Sequence, residues 1–69
     1  MDIFQELQKA ELLIEQYEDT NEPESKMELK QTISSILKDV RANLSTLTDE
    51  EDLQEATEQL EEFEEILTY

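Results

Sequence analysis

LQEATEQLEEFEEIL, residues 53–67, decides the fold. Six of its residues are Glu and none is basic, a composition that taken alone reads as unfolded chain. Its spacing says otherwise. Leu53, Ala56, Leu60, Phe63 and Leu67 recur at steps of 3, 4, 3 and 4. Steps that average 3.5 residues keep one narrow apolar seam on a single side of an α-helix.

The same spacing occurs twice more. Ile3, Leu7, Ala10, Ile14 and Tyr17 step by 4, 3, 4, 3, and Ile33, Leu37, Val40, Leu44 and Leu47 repeat those steps. Gly is absent and Pro occurs once, at Pro23, so few residues interrupt a helix. Phe4 and Leu13 widen the first seam, and Leu29 and Ile36 widen the second. The spacing predicts helices near residues 3–18, 22–46 and 49–68 in a single domain spanning 1–69. Thr48 with Glu51, and Asn21 with Glu24, have the spacing of a capping box, with Pro23 in a first turn; Asp2 with Gln5 is a weaker version. Short connections around EDTN and STLT force neighbouring helices antiparallel. The expected fold is therefore all-α, an up-down-up three-helix bundle.

The totals set limits on chemistry. A chain of 69 residues buries a small core, and with no Cys and no His it has neither disulfides nor the usual zinc ligands. No Ser has a His partner and no Gly-rich loop can cradle phosphate. The acids lie mainly at solvent positions, and an EF-hand loop would need a Gly after alternating acids. The chain is read as a non-enzyme with no cofactor and no metal. No apolar run of membrane-spanning length occurs, and MDIFQELQKAELL lacks the basic start of a secretory signal, so a cytoplasmic location, host cytoplasm included, is expected.

Charge carries the functional expectation. The net charge is −15, distributed as −7 over residues 1–25, +2 over 26–47 and −10 over 48–69. The mildly basic middle segment can place cations beside both acidic ones. On the third helix, Glu51, Glu55, Glu58, Glu62 and Glu65 stand opposite the seam, and every member of that stripe is Glu. Asp52, Glu61 and Glu64 flank it, while Asp49 and Glu50 belong to the first turn. A helix N-terminus favours negative charge and a C-terminus opposes it. Glu61, Glu62, Glu64 and Glu65 thus have no local stabilising role to fill, and like charges at i,i+3 and i,i+4 cost roughly 0.2–0.5 kcal/mol each. Ten acids along about 30 Å of helix give one per ~3 Å, close to the ~3.4 Å spacing of phosphates along one DNA strand.

This surface is similar in kind to that of the small acidic DNA-mimic inhibitors encoded by viruses and mobile elements. The similarity is one of charge layout and implies a phage- or mobile-element-encoded inhibitor or modulator. Its partner would be a basic nucleic-acid-binding host protein, met through the ten acids of the third helix. Direct binding to nucleic acid or to anionic membrane is disfavoured by the same charge. The alternative is a helical structural or adaptor module whose acids only solubilise it, self-associating as a homodimer through Phe4, Leu12, Ile66 and Tyr69.

Overall fold

The computed structural model describes residues 2–68. It contains three α-helices: α1 (Ile3–Asp19), α2 (Pro23–Asn43) and α3 (Glu50–Thr68), with a short 3-10 turn, Leu44–Thr46, after α2. No strand occurs among the described residues. Connectors of three residues each, 20–22 and 47–49, are too short for a crossover, so successive helices run antiparallel. α1 and α2 share the largest interface, and α3 rests on both. The body measures 40 × 18 × 16 Å.

Each helix begins for a local reason. The Asp2 carboxylate accepts hydrogen bonds from the Phe4 and Gln5 backbone N–H groups, at 3.1 and 3.2 Å. At α3 the expected Thr48–Glu51 box does not form. Asp49 takes its place, its carboxylate accepting from the Glu51 N–H at 2.8 Å. Asp is as good an N-cap as Thr, and its charge also suits the positive end of the helix. The Asn21–Glu24 box is likewise absent. Pro23 is the first residue of α2, which makes Glu22 the cap and leaves Asn21 one position too early. Glu22 forms no side-chain bond to the helix backbone; its carboxylate accepts from the Ser25 hydroxyl instead.

α2 ends three residues sooner than its seam predicts. With no Gly to adopt the left-handed C-terminal cap, the chain tightens into the 3-10 turn, and no described residue has positive φ. Side chains add bonds at this end: the Asn43 amide donates to the Asp39 carbonyl, and the Thr46 hydroxyl donates to the Asn43 carbonyl, which the end of the helix has freed, at 2.8 and 2.7 Å. At the end of α1 the Thr20 hydroxyl donates to the Gln16 carbonyl in the same manner.

The three seams meet in one core. All five positions of the first are buried, as are Ile33, Leu37 and Val40 of α2 and Ala56, Leu60, Phe63 and Leu67 of α3. Phe4, Leu13, Leu29, Ile36 and Ile66 pack against this core half-buried. The seams fail at one end of the bundle. Leu44 and Leu47 are only half-buried and Leu53 is 37% exposed, because α2 has already become a 3-10 turn where α3 begins. No polar side chain is buried among the described residues.

Candidate functional site

The seam of α3 faces inward, so the opposite side must face solvent, and it does. Glu51, Glu55, Glu58, Glu62 and Glu65 are all exposed. Asp49, Glu50, Asp52 and Glu61 are exposed as well. The bundle leaves nine of the ten expected acids exposed, eight on α3 itself and Asp49 at its cap. Glu64 differs. It is half-buried on the side that turns towards α2, and both of its carboxylate oxygens accept from the Arg41 guanidinium, at 2.7 and 2.8 Å.

That contact gives Glu64 a non-local role, which the sequence reading, finding no local one, had not assigned to it. The hydrogen bond to Glu64, then its charge, raise the Arg41 pKa above its ordinary value, and the charge of Glu61 adds to the effect. Asp49 is also spoken for, as the cap of α3. The other eight acids have no ion-pair partner among the described residues. Eight charges over a helix of about 28 Å give one per ~3.5 Å, close to the ~3.4 Å repeat of one nucleic-acid strand.

The residues expected at a self-association surface separate into three groups. Phe4 and Ile66 pack against the chain's own core, Leu12 is 57% exposed, and Tyr69 lies outside the described residues. Leu12 lies in a shallow depression of about 270 Å³ with Gln5, Gln8 and Lys9. No group of three or more potential metal ligands gathers among the described residues, and no described helix is long and apolar enough to cross a membrane.

One surface was missed in the sequence reading. Between α2 and the last described turn of α3 runs an open groove of about 570 Å³, with Lys30, Lys38 and Arg41 along α2 and Glu64, Leu67 and Thr68 across from them. Met27, 63% exposed, lies in an adjoining depression along α2. A signal for it existed: Met27, Lys30, Ser34, Lys38 and Arg41 step by 3, 4, 4 and 3, a helical face containing no acid. The remaining cation of α2, Lys26, sits 4.7 Å from the centre of the Tyr17 ring and links α2 back to α1.

No protein-family model, curated protein or solved structure matches this chain.

Proposed function

We propose that the protein is a non-enzymatic acidic binding module whose α3 outer face occupies the nucleic-acid-binding surface of a basic partner protein. The observation that carries this reading is the disposition of the eight unpaired acids. They stand on a rigid helix at nearly the linear charge density of a nucleic-acid strand, with no cation among them. Carboxylates at that spacing can accept the hydrogen bonds that Arg and Lys of a phosphate-binding groove would give to phosphate oxygens. The bundle contributes rigidity, so the charges do not have to be ordered when the partner binds.

The reading also accounts for a cost. Like charges along α3 repel one another and oppose the helix dipole at its C-terminal end. Mixed Glu and Lys would keep the surface hydrated without that repulsion, yet no Lys or Arg follows Arg41.

The test is competition. Labelled duplex DNA is bound to each of several basic DNA-handling proteins, including a nuclease, a repressor and a sliding clamp. The protein is then titrated in at low salt. Displacement from at least one of them is expected, weakening steeply as salt rises and disappearing in the Glu55→Lys/Glu58→Lys/Glu62→Lys variant. Displacement that the triple variant retains in full would end the proposal.

A self-associating adaptor is the second reading, favoured by exposed Leu12 and Met27. The three seams are occupied within one chain, so a dimer would need these outer residues. Leu12→Asp should then dissociate it in sedimentation, and a monomer at high micromolar concentration removes this reading.

A further inference from the structure

The acid-free face of α2 is a second candidate surface, independent of the α3 reading. Met27, Lys30, Ser34, Lys38 and Arg41 lie along one side of α2 over about 21 Å. Glu28 and Asp39, the acids within that span, lie more than about 100° around the helix from its midline. Ser34, with a small side chain, occupies the centre and lines both the groove and the adjoining depression, with Lys30 and Lys38 on either side of it. Leu37 and Leu67 form part of its apolar lining, and exposed Met27 lines the adjoining depression, which shares Lys30, Ser34 and Lys38 with the groove. The chain carries 20 acids, yet neither Lys30 nor Lys38 makes an ion pair among the described residues.

We propose that this face of α2, with the last turn of α3, is a docking groove for an acidic amphipathic helix of a partner protein. Carboxylates of that helix would face Lys30 and Lys38, and one of its apolar side chains would enter the depression over Ser34 beside Met27. Charge complementarity, the length of the face and the small central residue all fit a fourth helix laid along the bundle. A nucleic acid or an anionic membrane fits poorly. Either extends well beyond three cations and onto the acids of α1 and α3.

Screening makes the assignment testable. The body is 18 × 16 Å in cross-section, about two Debye lengths at 0.15 M salt but less than one at 0.01 M. At low salt an acidic helix experiences the whole −15 charge and is repelled. At physiological salt the distant acids are screened and the nearby lysines dominate. Binding in this groove therefore strengthens from low to physiological salt, opposite in sign to binding through α3.

The experiment uses the full chain and a labelled synthetic peptide of about 20 residues, long enough to form helix, with Leu on one stripe and Glu on the other. Fluorescence anisotropy should show tighter binding at 0.15 M than at 0.01 M. Lys30→Glu/Lys38→Glu should weaken it about tenfold while leaving the helical circular dichroism unchanged. Should that pair disturb folding, Lys30→Gln/Lys38→Gln should weaken binding in the same direction. Glu55→Gln/Glu58→Gln should leave it intact. Four outcomes overturn the proposal: no binding at 0.15 M, equal binding by the lysine variants, equal binding of a Gln-for-Glu peptide, or equally effective competition by a single-stranded oligonucleotide. A concentration-dependent dimer abolished by the lysine pair would also overturn it, by assigning the groove to a second copy. The lysine variants leave the α3 stripe intact and the α3 variants leave the groove intact, so either reading can fail without the other.

Discussion

The two sides of α3 obey different rules. Inward, Ala56, Leu60, Phe63 and Leu67 are buried and each contributes to the shared core. Outward, Glu51, Glu55, Glu58, Glu62 and Glu65 make no ion pair and repel one another. A difference this sharp within one 19-residue helix separates what the fold requires from what it merely tolerates. The inner face needs no explanation beyond packing. The outer face makes no ion pair within the folded chain, and for that reason the functional proposal is placed there.

The contrast can be broken from the inside first. Leu60 is fully buried, so Leu60→Ala should cost about 2–5 kcal/mol, enough to unfold much of a domain this small. Chemical denaturation followed by circular dichroism reads this directly. A loss below 1 kcal/mol would mean that α3 is not held by its seam.

Reversing the outer face should act with the opposite sign. Glu55→Lys/Glu58→Lys/Glu62→Lys converts repulsions with Glu51, Asp52, Glu61 and Glu65 into attractions; the like pairs left are those among the three new lysines and the untouched Asp49–Asp52, Glu61–Glu64 and Glu61–Glu65 pairs. A gain of roughly 1–2 kcal/mol is expected at low salt. The parent protein should also melt at higher temperature in 0.5 M than in 0.01 M NaCl, because screening relieves its self-repulsion. The variant should show a flatter salt response. A parent melting temperature that falls with salt would contradict the repulsion on which the proposal depends.

Two smaller effects sharpen the boundary between the faces. Asp49→Ala should cost about 1 kcal/mol as a lost N-cap, whereas Thr48→Ala should cost much less. Equal losses would restore Thr48 as the cap. The Arg41–Glu64 pair is exposed, with side chains 57% and 42% accessible, so its coupling should be the weakest of the set. A double-mutant cycle should detect it at 0.05 M salt and lose it near 1 M, where the Debye length is ~3 Å. Coupling that persists at 1 M would show that the pair is shielded from water.

The fold was legible because its signal is repeated. Three heptad seams in a chain without Gly leave few arrangements other than a bundle, and their central residues are the ones that pack. The ends were less legible. Leu53 continues the spacing but lies where α2 has already turned, and spacing contains no information about where a neighbouring helix stops. Caps depend on single residues, and Pro23 and Asp49 each displaced one. The role of Glu64 could not be read locally, because its partner is 23 residues away and is brought close only by packing. The α2 groove was half-legible: its acid-free spacing is present in the sequence, but its far wall belongs to α3.

Among the described residues no charged side chain is buried and the core is apolar apart from the rim residue Tyr17, and this has a consequence for uniqueness. An apolar interior with a seven-residue repeat is nearly indifferent to a slide of one repeat, about 10 Å along the axis. Discrimination between such alignments falls to features at the margin: the three-residue connectors, the Asp49 cap and the Arg41–Glu64 bridge. Contacts that add little to the depth of the energy well therefore determine which well the chain occupies, and with it the placement of every charge on the outer face of α3.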